Sequence, residues 1–180
     1  MKKVMKVVLA AFLLVCFAGC NKESDGKNDD ENSTDVDMSK YPAEISEWSG
    51  QNFVDYFTEA GVFSNDNGYE TWIQDHTSYW PDTPVNECAG WWNKEGTDRV
   101  MILIMKSDNA DTSEEQMNEW IKSIKENHTL PGEYASLPVD HLVGNVAFSF
   151  ETSILDDANY EAFNNAYQQL LTALNVTPDM

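Results

Sequence analysis

Positive charge is scarce in this sequence. Eleven Lys and Arg face 31 Asp and Glu, a net charge of −20 at pH 7. From residue 41 onward five bases remain (Lys94, Arg99, Lys106, Lys122 and Lys125) against 24 acids. Nucleic-acid binders need clustered Lys and Arg for the phosphates, so no nucleic-acid partner is expected. The same balance argues against direct docking of this part on anionic lipid headgroups. Cationic, metallic or neutral ligands stay open, and solubility with mutual repulsion at a crowded surface is the simplest use of the charge.

Catalytic and metal-binding motifs are also missing. There is no GxSxG elbow, P-loop or GxGxxG turn. His76, His128 and His141 are far apart, and neither HExxH nor a paired-Cys spacing occurs. Residues 63–68 superficially match a calcium loop, but Phe63 stands where the first Asp ligand is needed. No metal and no cofactor is expected. Some pair of the 24 acids will always suit a two-carboxylate hydrolase. Asp75 with Asp82 or Glu87 is the pair best placed, and no residue is assigned a catalytic role.

Long apolar runs are confined to residues 7–18, preceded by Lys2, Lys3 and Lys6 with no acid before Glu23. A helix of twelve residues spans roughly 18 Å, short of the ~30 Å hydrocarbon core, so a cleaved export signal is expected over 1–19. Its end, Phe17-Ala18-Gly19-Cys20, resembles the lipobox of bacterial lipoproteins, with Phe17 where that family usually has Leu. The resemblance implies a diacylglyceryl group on the Cys20 sulfur, cleavage before Cys20, and often acylation of its amine. More than one acyl chain anchors firmly. The implied location is the extracytoplasmic side of a bacterial cell membrane. With no outer-membrane sorting clue, the reading leans to a Gram-positive cell. An ordinary secretory signal cut after Gly19 is the alternative.

Residues 20–40 then read as the lipidated Cys20 and an acidic tether. Residues 21–40 hold seven acids, three lysines and no aromatic residue, with only Val36 and Met38 as sizeable apolar side chains. Such a stretch buries too little surface to offset its ordering entropy and is expected to be disordered.

Residues 41–180 form one domain-sized segment. With Cys16 lost and Cys20 lipidated, Cys88 is alone, so the domain has no disulfide and depends on its core. Three helices are expected. Near 50–60, Phe53, Tyr56, Phe57 and Ala60 share a face, Ser49 caps and Gly61 ends the helix. Over 113–127, Met117, Trp120, Ile121 and Ile124 form a stripe behind a Thr112-x-x-Glu115 capping box. The last carries Tyr160, Phe163, Tyr167, Leu170, Leu171 and Leu174 on one face, behind Asp156 and Asp157. Residues 100–105 read as a strand buried on both faces and 146–151 as a half-buried one. Weaker strand patterns cover 70–75, 87–93 and 134–139. The expected fold is α+β: a mixed or mostly antiparallel sheet of about four to five strands, with three helices mainly on one face.

The chemically distinctive stretch is 69–92. It interleaves Tyr69, Trp72, Tyr79, Trp80, Trp91 and Trp92 with Asp75, His76, Asp82, Asn86 and Asn93. Rigid aromatic faces beside amides and carboxylates suit sugars, and Trp and Tyr also anchor protein interfaces. The bland use is core packing, since each large ring buries 150–250 Å². The reading is a lipid-anchored, non-catalytic binding or accessory module with a protein or glycan partner at the cell surface. Its candidate ligand-binding residues are Trp72, Asp75, Tyr79, Trp80, Trp91 and Trp92. A glycan-binding module on the same stretch and a small hydrolase of wall or glycan material are the alternatives.

Overall fold

A computed structural model of the chain describes residues 36–75, 82–93, 99–107, 113–151 and 158–180. The expected leader, Cys20, most of the expected tether, Thr112, Asp156 and Asp157 lie outside the described residues.

The first helix, α1, spans Gly50–Glu59. Ser49 starts it as expected: its hydroxyl accepts from the Asn52 amide at 3.2 Å, and the Asn52 side chain accepts from the Ser49 amide at 3.0 Å. This is a reciprocal capping box with Asn in the usual place of Glu or Gln. Gly61, at φ 79°, supplies the left-handed residue behind the last turn. The spacing of Phe53, Val54, Tyr56 and Phe57 turns all four into the core.

Three strands follow, β1 (Tyr69–Asp75), β2 (Val85–Asn93) and β3 (Arg99–Met105). The second helix, α2, spans Glu114–Asn127. Its cap is Ser113, one residue beyond the expected Thr112, with Ser113 Oγ accepting from the Gln116 amide at 3.2 Å. A short hairpin, β4 (His141–Val143) and β5 (Val146–Phe150), turns through Gly144, whose φ is 55°. The last helix, α3, spans Ala158–Leu174 and is followed by Asn175 at φ 52°.

The five strands form one sheet in the order β1-β2-β3-β5-β4, every pair antiparallel. The fold is α+β. The apolar run of β3 takes the central position that its two-sided hydrophobicity demands, and Val100 through Met105 are buried. Two strand expectations are corrected. The 134–139 stretch is not a strand: Gly132–Tyr134 is a 3-10 turn, and only a Thr129–Pro138 bridge remains. Pro131, Gly132 and Pro138 break the ladder there. The second correction concerns β5, which is buried on both faces because β3 and β4 flank it and both sides of the sheet are covered.

On one face, α1 and α3 close over Ala89, Trp91, Val100, Ile102, Ile104, Phe148 and Phe150. The other carries α2 and the 128–139 segment over Val85, Cys88, Met101, Leu103, Met105 and Ala147. The folded part also reaches back before residue 41. Val36 and Met38 pack against the first cluster, and Lys40 Nζ lies 2.7 Å from Glu59 Oε1. The apolar pair that looked incidental in an acidic stretch is what holds residues 36–40 to the domain.

Candidate functional site

Alternation along β1, β2 and β3 brings Trp72, Gln74, Cys88, Trp92, Arg99 and Met101 to the face that α2 covers only in part. Tyr134 and Leu137 approach from the segment after α2 and complete a groove of about 460 Å³. Trp72 and Trp92 belong to adjacent strands. Their ring planes lie within 20° of parallel, with centroids 6.4 Å apart. Trp92 is 43% exposed, and its indole N–H donates to Glu70 Oε2 at 3.3 Å. Trp72 is half-buried, and its Nε1 is enclosed without a hydrogen-bond partner among the described residues.

The groove is apolar in its floor and polar at its rim. Cys88, at 1% exposure, lies in the floor with Met101. Gln74 lines the groove, as does Arg99, whose guanidinium lies 3.2 Å from Glu151 Oε1. That exposed pair neutralises the one cation among the described residues of the lining. No carboxylate is among the described residues that line the groove.

The candidate residues thus divide. Trp72 and Trp92 come together. Trp91 is corrected: adjacent strand residues point to opposite faces, so it enters the core at 0% exposure. There it lies edge-on to Phe57 at 5.9 Å and against Phe63 at 5.2 Å. Tyr79, Trp80, His76 and the side chain of Asp75 lie outside the described residues. Gln74, Arg99, Met101, Tyr134 and Leu137 were not singled out in the sequence. Alternation carried through β3 would have found Arg99 and Met101, but Tyr134 and Leu137 follow a helix and have no local signal.

Of the carboxylates considered for hydrolysis, Asp75 and Glu87 stand opposite each other in the β1–β2 register. The Glu87 carboxyl lies near Gly50 at the start of α1, on the other face from the groove. Asp82 sits in a turn at φ 59°, and its backbone carbonyl accepts from Gln116 Nε2 at 3.1 Å. Among the described residues no three His, Cys, Asp or Glu side chains are grouped to hold a metal ion. His128 caps the C-terminus of α2.

His141 packs among Phe150, Tyr160, Phe163 and Tyr167, with Nε2 3.3 Å from the Tyr160 hydroxyl. Burial pushes its pKa down, against the opposing pull of Asp140. Burial raises the pKa of Asp140, although its carboxylate accepts from the Phe150 amide at 3.0 Å. Both serve packing at the β4 edge.

Compared with protein families, curated proteins and solved structures, the chain matches none.

Proposed function

We propose that this chain is an exported lipoprotein, held at the outer side of a cell membrane by lipid on Cys20. Its folded part is a non-catalytic binding module that works through the Trp72–Trp92 groove. The observation that carries the reading is the pairing of two indoles from neighbouring strands over an apolar floor, with one left 43% exposed. Exposed apolar surface of this kind, rimmed by polar groups, marks interaction sites. The anchor rests on the leader alone. Among the described residues no helix is long and apolar enough to cross a membrane.

A glycan is the ligand class that the rim favours. Sugar C–H faces stack on rings such as Trp92, while hydroxyls find an amide at Gln74 and charged partners at Glu70 and the Arg99–Glu151 pair. With Arg99 paired to Glu151, Glu70 is the single uncompensated charge named at this rim, in a chain of net charge −20, which suits an uncharged ligand. The hydrolase alternative draws no support from the groove lining.

The test is tryptophan fluorescence of the purified protein, with acrylamide quenching and titration of soluble glycans or wall fragments. A ligand-dependent shift that disappears in Trp92→Ala supports binding at the groove. A shift unchanged by Trp92→Ala sinks that site, and no shift with any glycan removes the glycan. For the anchor, fatty-acid labelling that is lost in Cys20→Ala is expected; labelling that persists overturns it.

A further inference from the structure

The two edges of the sheet are finished differently. Along β4, Leu142 is paired by the C-terminal residues: its amide donates to the Met180 carbonyl at 3.4 Å, and its carbonyl accepts from the Asp179 amide at 2.7 Å. Along β1 the Tyr69 amide turns away from β2, to the Ser64 carbonyl at 3.1 Å. Alternation in an antiparallel ladder turns the N–H and C=O of Thr71 and Ile73 the same way. Among the described residues these groups have no backbone partner. Of the usual protections of an edge, the strand has only the acids Glu70 and Asp75. It holds no Pro and no Lys, pairs with β2 without a bulge, and leaves Ile73 40% exposed.

We infer that β1 is the docking edge for a second copy of this chain, added antiparallel so that the two sheets become one. The strand is complementary to itself. In the register centred on Trp72, Thr71 of each copy faces Ile73 of the other, so the open donors and acceptors satisfy one another. Glu70 then faces Gln74 and Asp75 faces Tyr69, so no acid opposes an acid across the new pair. That matters because copies of net charge −20 repel each other over most other surfaces. The two-fold axis of such a pair stands perpendicular to the sheet, so both Trp72–Trp92 grooves lie side by side on one face. The pairing is independent of what the groove binds.

The full chain, purified in detergent with its anchor in place, tests this by sedimentation over a range of concentrations. A reversible monomer–dimer equilibrium is expected, tightened by salt because screening weakens the repulsion. Ile73→Pro should weaken it by about tenfold or more, since it removes the outward N–H of Ile73 without touching the β1–β2 ladder. Circular dichroism checks that the variant is folded. Cross-linking supplies a second measurement that tolerates loss of either variant. Trp72 would face its own copy at a Cα separation of about 4.5 Å, within the range of about 4.4–6.8 Å that a disulfide spans. Oxidation of Trp72→Cys should therefore give a covalent dimer, while Trp92→Cys, one strand further in, should not. A monomer at every concentration, a dimer indifferent to Ile73→Pro, or equal cross-linking at both positions would each overturn the proposal.

Discussion

The two faces of the sheet are built from the same strands and do different work. On the α1–α3 face, Phe53, Phe57, Phe148, Phe150, Phe163 and Tyr167 form a continuous set of ring contacts, and all six are buried. On the α2 face, only Ile124 of its helix is buried, while Met117, Trp120 and Ile121 stay half-buried and Trp92 is open to solvent. Neighbouring tryptophans express the contrast most sharply, since Trp91 and Trp92 share a backbone and differ only in the side they face. A chain without a disulfide in this domain concentrates its aromatic packing on one side. That leaves the other side free to carry an exposed aromatic pair.

Trp91→Ala should show the largest effect, a loss of about 3–5 kcal/mol for removing a large buried ring, read by denaturant unfolding. A cost below about 1 kcal/mol would break the contrast, because it would place Trp91 among ordinary surface substitutions. Gly90→Ala comes next. A Cβ there would lie 1.9 Å from the Val100 carbonyl oxygen, at a φ of +155° that side chains rarely adopt. Overpacking of this kind costs about 1–3 kcal/mol, and wild-type stability in the variant would show that β2 and β3 separate easily.

The third prediction sharpens the contrast through pH. Burial on the α1–α3 face lowers the folded-state pKa of His141 below its ordinary 6.5. The unfolded chain therefore binds the proton more readily, and stability falls as pH drops through 6.5 toward the folded pKa. Asp140, raised by burial, acts in the opposite direction above 3.8. Melting temperatures between pH 7 and pH 5.5, compared between wild type and His141→Phe, isolate the histidine. The slope should be shallower in the variant, and equal slopes would refute the assignment. Trp92→Ala should have the smallest effect on folding, about 1 kcal/mol, since it removes a half-open ring, its stacking on Trp72 and an exposed hydrogen bond. A loss comparable to that of Trp91→Ala would mean that the α2 face is core after all.

Local rules carried the elements far. Ser49 and Gly61 bound α1, the helical stripe of Tyr160 through Leu174 set α3, and the uninterrupted apolar run of β3 required a place inside the sheet. They failed where a residue's environment comes from distant chain. The alternation of β5 looked half-buried, yet Ala147 and Ser149 are covered as fully as Phe148. Leu137 and Val139 had the spacing of a strand, but prolines and a glycine put them in a loop.

By itself the sequence determined that the chain is acidic and where its three helices and most of its strands lie. These depend on composition and on neighbours within one or two turns. Which aromatic residues are core and which are surface was decided only in three dimensions. A strand presents two faces at every step, and alternation groups its residues without saying which group will be covered. That depended on α1 and α3 both choosing the side of Trp91, which left Trp72 and Trp92 together on the other.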